Sequence, residues 1–193
     1  MIRFAEERDL PPMLDIYSPY VRRTTVSFEY DPPDLAEFTG RFRAVTAQFP
    51  WLVWDEGGQI LGYAYASAPF SRAAYAWCAE PAVYLLPQAR GQGIAAALYA
   101  ALEAILKAQG YRVLYALICG ENGPSTRFHE KAGYRIRAEL PRCGFKFGRW
   151  LDLVWMEKCL PFGDNPRGFP VPWREIVQND EKWIDILDNF SLS

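Results

Sequence analysis

One segment limits the possible folds of this chain more than any other: residues 81–110, PAVYLLPQARGQGIAAALYAALEAILKAQG. It begins as an apolar run typical of a strand, passes through Gly91 and Gly93, and continues with apolar residues at the spacing of an amphipathic helix. A strand that turns directly into a helix leaves unpaired backbone N–H groups at the helix N-terminus, where the helix dipole adds positive potential. The segment therefore predicts an anion cradle, in which the glycines admit a diphosphate and Arg90 adds a charge-assisted contact.

Other glycine-rich sites fit this segment less well. A dinucleotide-binding fingerprint has GxGxxG after the first strand and an acidic residue about 20 positions later. Here the motif follows a fourth predicted strand, the third glycine is missing, and the GK[ST] ending of a P-loop is absent. A plain helix start with two spare glycines remains the structural alternative.

The rest of the chain predicts a mixed sheet. An N-terminal strand is followed by two helices, the second capped by Asp34, and by a hairpin that turns at Gly57 and Gly58. In the next strand, residues 74–87, Pro81 predicts a bulge or a splayed edge because it has no N–H for a ladder hydrogen bond. The complete order, β-α-α-β-β-β-α-β-α-β-β, predicts one α/β sheet with helices on both faces.

Charge and composition argue against several classes of function. The 21 basic and 23 acidic residues include no Lys/Arg block, which disfavours a nucleic-acid partner. The four cysteines form no CxxC pair and the chain has one histidine, so we expect no metal site. No stretch approaches the roughly 18 apolar residues of a membrane span, and the N-terminus lacks the apolar core of a signal peptide. We therefore expect a reduced, cytoplasmic protein with buried cysteines.

Two spaced motifs carry a family resemblance. RGQGIA resembles the R/Q-x-x-G-x-G/A loop that binds the acyl-CoA pyrophosphate in the GNAT N-acetyltransferases, and NGPSTRFHEKAGY is similar to their N-x-x-[AS]-x-x-[LF]-[YH]-x-x-x-G-[FY] segment. Three further stretches resemble the branch that acetylates phosphinothricin and methionine sulfoximine: TVSFEYDPPDLAEFTGR, GYAYASAPFSRAAYAWCAEPAVYL and GFKFGRWLDLVWMEK. Ala95 stands where this branch usually has glycine, and Cys78 where threonine is common.

The resemblance implies a GNAT fold for residues 1–160, with a mixed, mostly antiparallel twisted sheet and helices on both faces. It also implies acetyl-CoA as cosubstrate, no metal, a small-molecule amine or amino acid as acceptor, and a homodimer. Residues 161–193 lie outside the pattern as a C-terminal extension. Its proline-rich start predicts an extended arm, and its acidic, aromatic end predicts a helix that docks on its own domain or on a partner subunit.

The family motifs assign the coenzyme-binding residues. The pyrophosphate loop consists of Arg90, Gly91, Gln92, Gly93, Ile94, Ala95 and Ala96. In this fold a backbone N–H of the strand beside the coenzyme binds the oxyanion of the tetrahedral intermediate, which points to Val83, Tyr84 and Leu85. Asn122 is the usual contact of the pantetheine arm and Ser125 begins the helix beside it, although each is also an ordinary helix-cap residue.

The resemblance assigns Glu80 and His129 to proton transfer. An amine attacks a thioester only after losing a proton, and Glu80 matches the base proposed for the family. Its apolar neighbours would desolvate it and make it more basic, whereas a solvated edge carboxylate is the structural alternative. His129 occupies the position where many relatives have a tyrosine that protonates the departing thiolate. A packed structural histidine, or one that only contacts substrate, is the alternative.

An α-amino acid acceptor presents a carboxylate, which needs a cation, and an ammonium, which needs an acceptor. The family segments that line this pocket contain Arg72 with Tyr75, and Phe28 with Glu29. Arginine suits a carboxylate or phosphinate because it pairs with two oxygens at once. A solvent-facing loop charge is the alternative for Arg72, and Trp150 in the last matching segment is expected in the core or in a dimer interface.

These residues together predict direct transfer of acetyl from acetyl-CoA to the α-amine of a small amino acid, within a ternary complex. Transfer to another amine, such as a protein N-terminus, a polyamine or an aminoglycoside, is the alternative among enzymes. A CoA-binding protein without catalysis is the alternative of another class.

Overall fold

The computed structural model describes residues 1–161 and 168–178, together with residues 183, 187 and 190. Its strands are β1 (Ile2–Phe4), β2 (Trp51–Glu56), β3 (Gln59–Ser67), β4 (Cys78–Leu85), β5 (Val113–Cys119), β6 (Arg135–Lys146) and β7 (Arg149–Cys159). Its helices are α1 (Leu10–Arg23), α2 (Leu35–Thr46), α3 (Ile94–Gln109), α4 (Gly123–Lys131) and α5 (Trp173–Gln178).

The strands form one sheet in the order β1-β2-β3-β4-β5-β7-β6. Neighbouring strands are antiparallel except β4 and β5, which are parallel. The predicted order of elements up to β7 and the mixed, mostly antiparallel sheet are confirmed. The strand predicted over residues 74–87 is shorter at both ends, because a short 3₁₀ turn occupies Ala73–Tyr75 and β4 spans Cys78–Leu85.

β4 and β5 diverge directly after they meet. The ladder described between them joins Cys78 to Val113 and Ala79 to Leu114. On its other side β4 keeps an unshifted register with β3 through Pro81. Of the two predicted consequences of Pro81, the bulge is therefore wrong and the splayed edge is confirmed.

The hydrogen bonds of β4 show which groups face the resulting gap. The N–H of Leu86 donates to Leu61 O, so the antiparallel alternation directs the backbone groups of Tyr84 toward β3 as well. The backbone groups of Pro81, Val83 and Leu85 point the other way, into the gap. Proline is tolerated at this position because the strand has no neighbour there that would need its N–H.

Helices cover both faces of the sheet. α1 and α2 pack on one face around an aromatic-rich core that includes Phe38, Trp51 and Tyr63. α3 covers the opposite face, where Leu98 and Leu102 are fully buried. Since α3 follows β4 after one turn, the glycine-bearing turn lies at the end of the splayed edge.

The described part of the C-terminal extension packs on its own domain. Trp173 stacks on Phe4 with ring centroids 4.4 Å apart, and its indole N–H donates to Thr46 O. Trp183 and Leu187 are buried in the core on the α3 face. Residues 162–167, in the predicted extended arm, and much of the predicted terminal helix lie outside the described residues.

The expectation that the cysteines are buried is wrong for two of the four. Cys143 and Cys159 are exposed, because one lies on the edge strand β6 and the other ends β7, although Cys119 is buried. Of the two positions expected for Trp150, the core is excluded, because the side chain is 59% exposed at the start of β7 beside the hairpin turn, and the dimer interface stays a prediction. Among the described helices, none has the length and apolar character that a membrane crossing requires.

Candidate active site

The gap between β4 and β5 is a cleft of about 120 Å³. It brings together six of the predicted site residues: Glu80, Val83, Tyr84, Asn122, Ser125 and His129. Tyr99 of α3 and the end of β5 complete its walls. The divergence of two strands thus exposes the backbone of β4 beside a carboxylate and an imidazole.

The free edge of β4 presents amides to this cleft. The N–H groups of Val83 and Leu85 point into it, whereas that of Tyr84 is directed toward β3. The Leu85 N–H donates to the Tyr20 hydroxyl at 3.2 Å, and this hydroxyl donates to Leu85 O at 2.6 Å. Of the three predicted oxyanion donors, Val83 is therefore the one whose N–H faces the cleft with no acceptor among the described residues.

The turn before α3 forms a helix N-terminus without a side-chain cap. Gly91 and Gly93 have φ angles of 75° and 83°, a left-handed conformation that favours glycine. The first helical hydrogen bond runs from Ala97 N–H to Gly93 O, so the N–H groups of residues 94–96 lack an acceptor within the helix. Together with the helix dipole, these N–H groups suit an anion such as a diphosphate.

Tyr20 connects the β4 edge to this loop. The Arg90 guanidinium lies 5.2 Å from the centroid of the Tyr20 ring and donates to its hydroxyl at 3.0 Å. Gln92 turns its side chain back to Gln88 O at 2.7 Å. Sequence reasoning missed Tyr20, which lies on α1 at a separation of 65 residues from Leu85, and no local motif marks it.

Glu80 points its side chain toward the sheet face that α1 and α2 cover. Its partner in β3 is Ser67, and the alternation of the pleat places Tyr65 and Tyr84 on the same face. Burial raises the pKa of the Glu80 carboxyl, and no charge in the described part of the chain offsets this. Glu80 is thus a half-buried carboxylate of raised basicity rather than a solvated edge group.

His129 is buried where α4 faces the cleft. Its Nδ1 lies 2.8 Å from Ser125 O, and its Nε2 lies 2.9 Å from the Tyr99 hydroxyl. Burial lowers the pKa of the imidazole, and the hydrogen bond to Ser125 O opposes this in part. Within the described residues, no group of three or more His, Cys, Asp or Glu side chains is arranged to hold a metal ion.

Asn122 caps α4 and also lines the cleft, and its contact with the pantetheine arm stays a prediction. Its side-chain oxygen accepts from Ser125 N–H at 3.3 Å and so caps α4, and the residue also lines the cleft. The cap uses the side-chain oxygen, which leaves the side-chain NH₂ as a donor.

The first segment predicted to line the acceptor pocket, residues 28 and 29, lies between α2 and β6 and is called the first acceptor segment below. The Phe28 ring fills the space beside Gly144, where an added Cβ would come within 2.4 Å of the ring. Glu29 is half-buried and pairs with Arg41 of α2 at 2.6 Å. An acceptor ammonium at Glu29 would therefore share this carboxylate with Arg41, which sequence reasoning did not identify.

The second acceptor segment is an exposed turn. Arg72 precedes the 3₁₀ turn before β4 and is exposed. Tyr75 is 44% exposed and packs against Phe70 with ring centroids 4.6 Å apart. This exposure leaves both side chains accessible to an acceptor, and their role stays a prediction.

Lys146 anchors the first acceptor segment by hydrogen bonds, and the sequence did not indicate this role. It is 2% exposed, and its ammonium donates to Val21 O at 2.8 Å, Thr24 O at 3.0 Å and Ser27 O at 2.5 Å. These three bonds use all three donors of the ammonium. A lysine next to a hairpin turn is usually exposed, so the sequence carries no signal of this burial.

Several known proteins are similar to this chain in sequence and in structure. The family model for an acetyltransferase (GNAT) domain matches residues 2–155. The phosphinothricin N-acetyltransferase of Alcaligenes faecalis is 39% identical over 166 residues, 84% of each chain. An L-methionine sulfoximine/L-methionine sulfone acetyltransferase of Pseudomonas paraeruginosa is 39% identical over 160 residues, 81% of this chain and 92% of the relative.

A solved structure shows the same fold. The GNAT superfamily phosphinothricin acetyltransferase of Sinorhizobium meliloti, in complex with AcCoA, has a TM-score of 0.84 and 37% identity, covering 88% of this chain and 94% of that one. The family match spans most of the chain. The chain therefore belongs to the GNAT family of acetyltransferases.

Proposed function

We propose that this protein transfers the acetyl group of acetyl-CoA to the α-amino group of a small amino acid or analogue, of the class of phosphinothricin and methionine sulfoximine. The observation that carries the proposal is the position of Glu80, a base of raised pKa on the wall of a cleft along the open β4 edge. The names of the relatives support this class of acceptor.

In the proposed reaction both substrates are bound together and no acyl-enzyme forms. The acceptor arrives as an ammonium and gives its first proton to Glu80, which later releases it to solvent. The amine then attacks the thioester carbonyl, so a C–N bond forms. When the C–S bond breaks, the nitrogen loses its second proton and the thiolate of CoA gains one. The desolvated carboxyl of Glu80 suits the first step because its pKa lies nearer to that of an amine.

The coenzyme is proposed to lie along β4 toward α3. The N–H groups of residues 94–96 and the side chain of Arg90 would bind the diphosphate. The N–H of Val83 would donate to the oxyanion of the tetrahedral intermediate, and Asn122 to the pantetheine arm. For the acceptor, we propose that Arg72 pairs with its carboxylate or phosphinate, and that Tyr75 and Phe28 flank it.

An acceptor screen tests this function. Purified protein is mixed with acetyl-CoA and one acceptor at a time, and the free thiol of released CoA is measured across amino acids, methionine sulfoximine, phosphinothricin, polyamines and peptides. We expect release with the amino-acid class, and its loss in Glu80→Gln. Release with polyamines or peptides alone would assign another amine. Binding of acetyl-CoA by calorimetry without turnover on any amine would favour a CoA-binding protein.

We also propose that the chain forms a homodimer through an aromatic patch, which consists of Tyr30, Phe145, Phe147 and Trp150. These side chains are 45% to 66% exposed. The Tyr30 hydroxyl donates to Phe145 O, and the rings of Phe145 and Trp150 lie 5.2 Å apart. Contiguous exposed aromatic groups of this kind are typical of interaction surfaces. The patch adjoins the acceptor segment, so a partner there would also shield the acceptor.

A further inference from the structure

Tyr99 and His129 belong to a chain of three hydrogen-bond contacts. The chain runs from Ser125 O to His129 Nδ1 at 2.8 Å, from His129 Nε2 to Tyr99 Oη at 2.9 Å, and from Tyr99 Oη to Pro81 O at 2.9 Å. Both ends are carbonyl oxygens, which can only accept. Three contacts therefore need three protons if all of them are hydrogen bonds.

When His129 is neutral, this row of hydrogen-bond contacts has only two protons for three contacts. Because Ser125 O only accepts, the imidazole proton is on Nδ1, and Nε2 is an acceptor. The single hydroxyl proton of Tyr99 then serves either Nε2 or Pro81 O. A proton added to Nε2 completes the chain, since Nε2 donates to Tyr99 and Tyr99 donates to Pro81 O.

We propose that Tyr99 and His129 form one proton-carrying pair in the acetyl transfer. This inference rests on the proposed function. Nε2 of His129 takes up the second proton that the attacking nitrogen loses, and the Tyr99 hydroxyl holds it by accepting from Nε2. As the C–S bond breaks, the pair gives this proton to the sulfur of the departing CoA and returns to its two-proton form. Tyr99 is thus a positioning residue that acts through His129.

The location of the pair supports this role. Tyr99 and His129 both line the cleft, and they are 2% and 5% exposed. Little water can therefore replace the missing hydrogen bond. Burial also lowers the pKa of His129, so the imidazole is neutral near pH 7. The pair then holds two protons, one on Nδ1 and one on the Tyr99 hydroxyl, and one of the three contacts lacks a proton.

Other titratable groups near the pair do not bond to Nε2. They come from β4, α3, β5, the turn after α4, and β7: Glu80, Glu103, Cys119, Tyr134 and Lys158. Glu103 and Lys158 form an ion pair with each other. Tyr134 meets the imidazole edge-on, with ring centroids 5.1 Å apart, but its hydroxyl has no hydrogen-bond partner among the described residues.

The single histidine of the chain allows a direct test by NMR, because every imidazole signal then belongs to His129. The protein is labelled with ¹⁵N, purified without a histidine tag, and titrated with pH in the absence of coenzyme and acceptor. We expect the neutral imidazole to carry its proton on Nδ1. In Tyr99→Phe we expect the pKa of His129 to fall, because the charged form loses two hydrogen bonds and the neutral form loses one.

Tyr134→Phe is the matched control, since it removes a hydroxyl from another ring that contacts His129. It should titrate like the wild type. In the acetyl-transfer assay, Tyr99→Phe should lower kcat about tenfold, the effect of roughly one hydrogen bond to a charged group, and leave the KM for acetyl-CoA unchanged.

Three results would overturn the pair: a neutral wild-type imidazole protonated on Nε2, an unchanged titration in Tyr99→Phe, or an equal change in Tyr134→Phe. The wild-type tautomer can be read even if the variant does not fold. The titration uses no substrate, so it tests the hydrogen bonds of the pair independently of the reaction. If the protein acetylates no amine but titrates as expected, the proposed function is rejected while the hydrogen-bond network is confirmed.

Discussion

Glu80 lies directly opposite Ser67 in the antiparallel register of β3 and β4. This pairing directs the Glu80 side chain to the sheet face that it shares with Tyr65 and Tyr84, away from the face covered by α3. The raised pKa of Glu80 therefore follows from its place in the register of the sheet. The strand that carries the proposed base also carries the Val83 amide, so one rigid element positions both groups.

Replacement of Glu80 by glutamine tests the base. The amide keeps the size of the side chain but cannot take a proton, so we expect kcat/KM for the acceptor to fall about 10²- to 10⁴-fold. In the wild type, kcat/KM should fall as the pH is lowered through the raised pKa of Glu80, above the ordinary value of 4.5, because the ionised form is the base. Steady-state rates across pH measure both effects.

The exposed residue Glu56, at the end of β2, provides the control for this change. Glu56→Gln should keep wild-type rates, and both variants should bind acetyl-CoA with wild-type affinity by calorimetry. Full activity of Glu80→Gln at neutral pH, or an unchanged acid limb in its pH profile, would remove Glu80 from the mechanism.

Gly91→Ala tests the diphosphate cradle. Gly91 and Gly58 both have positive φ, 75° and 93°, and a Cβ at either would meet no atom within 4 Å. Alanine at either position should therefore cost a similar free energy of unfolding, about 1–2 kcal/mol, through backbone strain. We expect only Gly91→Ala to weaken acetyl-CoA binding, by about tenfold, measured by calorimetry beside denaturant unfolding. Equal affinities in the two variants would place the diphosphate elsewhere.

Lys146→Met tests the anchoring of the acceptor segment. The change removes three hydrogen bonds to carbonyls of the α1–α2 region, and we expect the free energy of unfolding to fall by about 2–3 kcal/mol. The KM for the acceptor should rise severalfold because Phe28 and Glu29 are less fixed, while acetyl-CoA binding stays unchanged. The exposed Lys131→Met is the control for loss of a lysine charge. A wild-type acceptor KM in Lys146→Met would show that the anchor does not reach the site.

Trp150→Ser tests the aromatic patch as a dimer interface. The wild type should elute as a dimer in size-exclusion chromatography with light scattering, and Trp150→Ser should shift it toward the monomer, because a central aromatic side chain carries much of the energy of an interface. Leu35→Ser on α2, where Leu35 is 45% exposed, controls for the loss of an exposed apolar side chain outside the patch. A wild-type monomer, or an unchanged dimer in Trp150→Ser, would contradict this interface.

The order of the elements was predictable because it depends on local patterns. The periodicity of α3, the Gly57–Gly58 hairpin and the missing N–H of Pro81 each act within a few residues, and the last of these indicated the splayed β4 edge. The exposure of Cys143 was not predictable, since it depends on which strand lies at the sheet edge.

The site was predictable where a motif marks it and not where distant residues complete it. The glycines before α3 and Asn122 lie in short motifs with a local mechanism. Tyr20 and Lys146 act through contacts that span 65 and more than 100 residues in sequence, and no short motif surrounds either residue. The tertiary fold alone brings these side chains to the cleft and the acceptor segment.

A crystal structure of the protein with bound acetyl-CoA is the decisive measurement for the proposed site. We expect the diphosphate within hydrogen-bond distance of the N–H groups of residues 94–96, and the thioester carbonyl beside the Val83 N–H in the β4–β5 cleft, on the side of Glu80. A coenzyme bound away from α3, or a thioester on the far side of the sheet from Glu80, would contradict it.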